Sequence, residues 1–237
     1  MAGTLHTVPK AMRPRSGQRS GPKTRRQTVL PNDVVVELRH MSKPGRAEDA
    51  TRRLERAVQL LERGDAPGAA AEAADAKRLA PRAPAVREVL GLALYGLERY
   101  QEALSEMQAY RRMSGRADQN HIIADCLRSV GRGDRAVPLA EEALAARGIP
   151  VAAKAEAVIV AASALADQGK FDQALGMLRR IRTRDDVASP EVLRVWYVTG
   201  DILERSGHPQ EAQREFRKIV RHDPSAFDAA ERAAQLA

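Results

Sequence analysis

Five histidines, one cysteine and the acidic doublets Glu141-Glu142 and Asp185-Asp186 are the side chains of this sequence first considered for chemistry. His6, His40, His121, His208 and His222 would bind a metal as neutral imidazoles. Such sites need ligands a few residues apart on one element, or a thiolate or carboxylate to complete the set. No two of these histidines have that spacing, and neither does any of them with Cys126. Glu141-Glu142 and Asp185-Asp186 would act as acid/base pairs only if both carboxyls faced one substrate. Adjacent residues on a helix point roughly 100° apart, so both doublets read as solvated charge. There is no glycine-rich phosphate loop following a strand, and no convincing strand at all. Cys126 lies in the largely apolar run from His121 to Leu127, which suits a packed thiol better than a reactive one. The sequence therefore predicts no catalytic residue, no metal, no cofactor and no enzyme. A lone cysteine forms no internal disulfide and fits a reducing cytoplasm.

What must hold such side chains is helical. Leu193, Trp196, Gly200 and Leu203 recur at helical spacing, Gly207-His208-Pro209 breaks the run, and Ala212, Phe216, Ile219 and Val220 resume it. Pro224 ends the second helix. Small Gly200 and Ala212 are placed to share one tight contact between the helices. The same pattern recurs from Ala47 onwards, over about 48–81, 84–115, 117–148, 153–182 and 190–224. The alanines opening the second helices, Ala69, Ala103, Ala136, Ala174 and Ala212, are spaced 34, 33, 38 and 38 residues apart. The longer intervals fall where Gly148-Ile149-Pro150 and the stretch from Thr183 to Pro190 make room for extra loop. A short helix and linker over 31–46 should cover the first copy's edge. Residues 225–237 should form a solvating last helix.

The aromatic, small residue, Ala, Phe and Pro at Trp196, Gly200, Ala212, Phe216 and Pro224 resemble the tetratricopeptide repeat, TPR. Residues 34–236 as a whole are similar to a family of actinobacterial TPR proteins with an Arg-rich tail, on Glu37 to Lys43 and Glu88 to Leu104. The resemblance implies an all-α, right-handed TPR-like solenoid of about five helix-turn-helix repeats with N- and C-terminal capping helices. It also implies a non-catalytic scaffold that binds a protein or peptide segment along a concave groove lined by the first helices. Carried over residue by residue, the lining would include Leu54 and Val58, then Glu88, Leu92 and Tyr95. Asp118, His121, Asp125 and Arg128 would follow, then Glu156, Ser163 and Asp167, and finally Arg194, Tyr197, Asp201, Glu204 and Arg205. With Glu62, that lining holds eight carboxylates against three arginines. The Lys/Asn/Lys/Arg clamp by which some TPR proteins hold C-terminal carboxylates has Leu54, Val58, Val89, Asp118 and Ile122 at its positions, so binding of chaperone-type C-termini is not expected.

The net charge of +8 sits almost wholly at the N-terminus. Residues 1–30 carry Lys10, Arg13, Arg15, Arg19, Lys23, Arg25 and Arg26 and no acid. Their prolines, glycines and lack of apolar periodicity predict a disordered tail. An Arg-rich, acid-free start also has transit-peptide character, but those prolines and glycines would break the amphipathic helix, and no apolar segment suits a secretory signal. Met12 and Met41 are further candidate starts. The tail carries an alternative function, weak salt-dependent contact with nucleic acid or the ribosome. It could equally reach the acidic groove of its own array. No apolar run is long enough for a membrane span. Composition leaves the partner's identity and the oligomeric state open.

Overall fold

The computed structural model describes residues 30–186 and 188–236. Among them are twelve α-helices, a short 3-10 turn at Gly133–Arg135, and no strand. A single helix, α1 (Asn32–Met41), precedes five pairs: α2 (Ala47–Glu62) with α3 (Ala66–Leu79), α4 (Pro84–Gly96) with α5 (Tyr100–Ser114), α6 (Asn120–Ser129) with α7 (Ala136–Ala145), α8 (Val151–Asp167) with α9 (Phe171–Leu178), and α10 (Pro190–Arg205) with α11 (Pro209–His222). A last helix, α12 (Ala229–Gln235), packs on α11. The predicted all-α solenoid is the architecture found.

One turn is used five times. Each first helix ends with a residue in the left-handed region two positions beyond its last helical residue: Gly64, Glu98, Gly131, Gly169 and Gly207, at φ +82°, +61°, +76°, +74° and +85°. The next backbone N–H then reaches back to a leucine carbonyl, Asp65 to Leu60, Arg99 to Leu94, Arg132 to Leu127, Lys170 to Leu165 and His208 to Leu203, at 2.7–3.0 Å. This is the Schellman closure, which satisfies carbonyls the helix leaves without partners. Glycine takes that conformation without penalty. Glu98 alone takes it with a side chain. On the far side of the first turn Asp65 caps α3 by accepting from the Gly68 N–H at 2.9 Å.

The first helices α2, α4, α6, α8 and α10 touch one another in series, whereas the second helices do not pack on each other to that degree. The first helices therefore form the inner side of the curve. Small residues set how closely neighbours approach. A Cβ added to Gly200 would lie 2.8 Å from the Phe216 ring, and one added to Gly91 would lie 2.9 Å from Met107 Cγ. The nearest neighbour of Gly200 is thus the Phe216 ring rather than the expected Ala212. One extended core runs from Ala57 to Ala233, and a smaller one at the N-terminal end joins Leu38 of α1 to Leu54, Ala76 and Val86. Leu30, counted in the tail by composition, is buried in that smaller core.

Candidate partner-binding face

The inner side brings most of the expected lining residues to one surface, and it does so as a hydrogen-bonded relay. The Tyr95 hydroxyl of α4 donates to Asp125 of α6 at 2.5 Å. Arg128 binds Asp125 at 2.9 Å and reaches Asp167 of α8 at 3.2 Å. From α10, Arg205 donates to the same Asp167 at 3.2 Å and lies 3.5 Å from Asp201. Arg232 of α12 closes the row on Asp201 at 3.1 Å and Glu204 at 2.6 Å. Four first helices and the last helix are tied by this one chain of charge. A second, shorter tie joins Arg194 of α10 to Glu156 of α8 at 2.9 Å.

Local structure explains the pairing. Asp125 and Arg128 lie three residues apart, so they share one helix face. The C-terminal ends of successive first helices stand side by side, which brings Arg128, Asp167 and Arg205 within reach although 38 or 39 residues separate each cross-helix pair. Burial acts to lower the basicity of Arg232, but Glu204, Tyr197 and Asp201 outweigh it and hold the guanidinium charged. The Tyr95 phenol is pushed well above its ordinary value, by burial first and by Asp125 second.

Toward the N-terminal end burial acts against the charged form of several carboxyls. Burial raises the Glu88 carboxyl above its ordinary value, although Gln119 donates to it at 2.7 Å. Glu156 is likewise raised by burial, against the pull of Arg194. Glu37 of α1 accepts from the Ala85 N–H at 2.9 Å, capping α4 from another element, and burial raises its carboxyl too. The imidazole of His121 is held below its ordinary value by burial, and its Nδ1 has no hydrogen-bond partner. Val58, Val89 and Leu92 are half-buried beside these groups.

Three expected lining residues are not on the surface. Leu54 is fully buried, because α1 lies over it. Tyr197 is 6% exposed: Phe227 packs on its ring at 4.7 Å and Arg232 stands 5.5 Å above it. Ser163 is also buried, since the alanines of α8 let α6 and α10 approach it closely. These three cannot contact a partner without rearrangement. The charge balance changes as well. Arg116, which pairs with Asp118 at 2.5 Å, and Arg232 belong to the same face. Eight carboxylates therefore meet five arginines rather than three, and the attraction for a basic segment is weaker than the sequence implied. Arg232 was missed because an arginine next to Glu231 reads as solvated charge, and only the superhelical turn carries it over α10.

The Cys126 thiol is buried and pushed up to about 12 by that burial and by Asp125, which suits packing rather than reactivity. Among the described residues no group of three or more His, Cys, Asp or Glu could hold a metal ion. No described helix is long and apolar enough to cross a membrane. The seven tail cations, and the nucleic-acid contact assigned to them, lie outside the described residues.

Models of the tetratricopeptide repeat match residues 54–120 and 122–227. No curated protein matches in sequence. Solved structures share the architecture. PilW, a widely conserved type IV pilus biogenesis factor, superposes with a TM-score of 0.65 at 18% identity, covering 79% of this chain and 88% of its own. A thermophilic TPR protein of Thermus thermophilus superposes at 0.56 and 17% identity, covering 79% and 98%. YrrB, described as a TPR protein with an unusual peptide-binding site, superposes at 0.55 and 20% identity, covering 78% and 91%.

Proposed function

Because the chain is built of tetratricopeptide repeats, a fold that generally mediates protein–protein interaction, we propose that it is a non-catalytic scaffold whose inner face holds an extended or helical segment of a partner protein. The observation that carries this reading is the division of labour on that face. Its charged side chains are largely paired into a relay that fixes the helices, while Val58, Val89 and Leu92 remain half-uncovered near the N-terminal end. A face already rigid loses little entropy on binding, and half-buried apolar side chains still have area to bury. We place the principal contact at Val58, Glu88 and Leu92, with His121, Arg194 and the relay residues Tyr95, Asp125, Arg128, Asp167 and Arg205 as its polar margin. Asp118, Glu156, Asp201 and Glu204 belong to that margin through their arginine partners. The abundance of Ala, and of Arg over Lys, supports an actinobacterial source.

Site-directed photo-crosslinking tests the assignment. A photoreactive residue at Leu92 should capture a partner that one at Ser105, on the second helix α5, does not. Val58→Glu, which keeps the fold because the side chain is half-exposed, should abolish capture from Leu92. Equal capture from both positions would remove the inner face as the site.

A further inference from the structure

A second surface, separate from the inner face, lies on α11 and α12. In α10, Trp196 and Gly200 face α11 and are buried by it. Ala230 and Ala234 of α12 stand 34 residues after Trp196 and Gly200, the length of one repeat. α12 therefore stands at the position a first helix takes in the repeat. Both alanines are exposed. Together with Val220, Ala233 and the basic side of α11 they line a crevice of about 620 Å³.

Its charge is one-sided. The ionised residues lining it are Arg214, Arg217, Lys218 and Arg221, with no carboxylate. Lys218 is paired with Glu215 at 2.8 Å. Arg214, Arg217 and Arg221 recur at helical spacing, are exposed, and form no ion pair among the described residues. Elsewhere in the array, neighbouring second helices meet through such pairs. Lys77 of α3 binds Glu106 of α5 at 2.6 Å, Arg111 of α5 binds Glu142 of α7, and Arg180, just beyond the end of α9, binds Glu141 of α7. At α11 the arginines are present and the carboxylates are not.

We propose that this crevice is the seat of an acidic amphipathic helix from a partner protein, which docks where the second helix of a sixth pair would lie. Apolar side chains of that helix cover Ala230 and Ala234, as Phe216 covers Gly200. Its carboxylates pair with Arg214, Arg217 and Arg221, in the manner of Glu106 and Glu142. The apolar floor and the absence of an aromatic side chain from the lining favour a helix over a nucleic acid, which would bind through stacking and phosphate contacts. This seat is separate from the inner face and stands or falls independently of it.

Fluorescence polarisation with the full chain provides the test. The probe is a labelled synthetic helix with leucines on one face flanked by glutamates, and the controls are the same helix with lysine for glutamate and a single-stranded oligonucleotide. The glutamate helix should bind, and higher salt should weaken it. Arg217→Glu with Arg221→Glu, and separately Ala230→Trp, should each weaken it at least tenfold with the thermal melt unchanged. All these positions are exposed, so folding should survive. The proposal is overturned if neither variant changes the affinity, if the lysine helix binds equally well, or if the oligonucleotide alone binds. A dimer in sedimentation that Ala230→Trp dissociates would give the seat to a second copy of the chain and equally overturn it.

Discussion

Gly200→Ala asks whether the repeats are built as described, because it adds one methyl group at the tightest point of the last pair. That Cβ would stand 2.8 Å from both Cε1 and Cζ of Phe216 and 3.2 Å from Cδ1. Carbon atoms in contact settle at about 3.5–4.0 Å, so the ring or a helix must move by more than half an ångström. Phe216 has little freedom to yield: it is fully buried, with Tyr197 edge-on at 5.8 Å and Arg232 4.4 Å above it. Overpacking of this kind costs about 1–3 kcal/mol. Replacing a mid-helix glycine by alanine returns about 0.5–1 kcal/mol. The net expectation is a loss of about 1–2 kcal/mol. Gly91→Ala is the matched control. Its Cβ would meet Met107 at 2.9–3.1 Å, but an unbranched thioether can re-orient, so the two terms should nearly cancel. Urea unfolding followed by the fluorescence of Trp196, the one tryptophan, reads the affected contact directly. Hydrogen exchange across α10 and α11 adds a local measure, since repeat arrays need not unfold in a single step. Phe216→Leu should restore part of what Gly200→Ala removes. A Gly200→Ala midpoint at or above the wild type, or an equal loss in Gly91→Ala, would refute the reasoning.

Three further outcomes are expected. Glu106 is 8% exposed and is held by Lys77 at 2.6 Å and Arg87 at 2.8 Å, so it joins three helices; Glu106→Ala should lower stability by about 1–3 kcal/mol in urea titration. Glu98→Gly should raise stability by about 1 kcal/mol, because it relieves the one side chain held at positive φ in the five helix turns. Glu88 has a folded-state pKa raised by burial, so it binds its proton more tightly folded than unfolded. Its contribution therefore grows as pH falls through the folded value toward the ordinary carboxylate value, and is lost as pH rises. Neutral Glu88→Gln should accordingly melt higher than wild type near pH 7, with the difference closing by about pH 4.

The five pairs were legible because their signals are local and repeat. Glycine or a turn follows each first helix, alanine opens each second, and an aromatic or a large aliphatic faces a small residue. The inner face was only partly legible, and the failures have physical causes at particular places. Leu54 and Tyr197 occupy lining positions by repeat offset, but they lie in the first and last copies, where α1 and α12 cover what an internal repeat would expose. Ser163 was misplaced because the alanines of α8 let its neighbours close over it. The carboxylates counted as free charge, among them Asp125, Asp167 and Asp201, are bound by Arg128, Arg205 and Arg232. Those pairings depend on how far each repeat is rotated against the next, which no single stretch of sequence encodes.

The relay from Tyr95 to Arg232 lies on the inner side of the curve, and that position has a mechanical consequence. Pulling the ends of the array apart straightens it, which spreads the inner helices and loads these ion pairs in tension. Winding it tighter compresses them. Stiffness should therefore be asymmetric, greater against straightening than against tightening. The pairs are partly exposed, with Arg205 and Asp167 each at 33%, so dissolved salt should soften the first response and leave the second, set by packed side chains, nearly unchanged. A force trace recorded at low and high ionic strength would show a spring whose extension, and not whose closure, is tuned by the solvent.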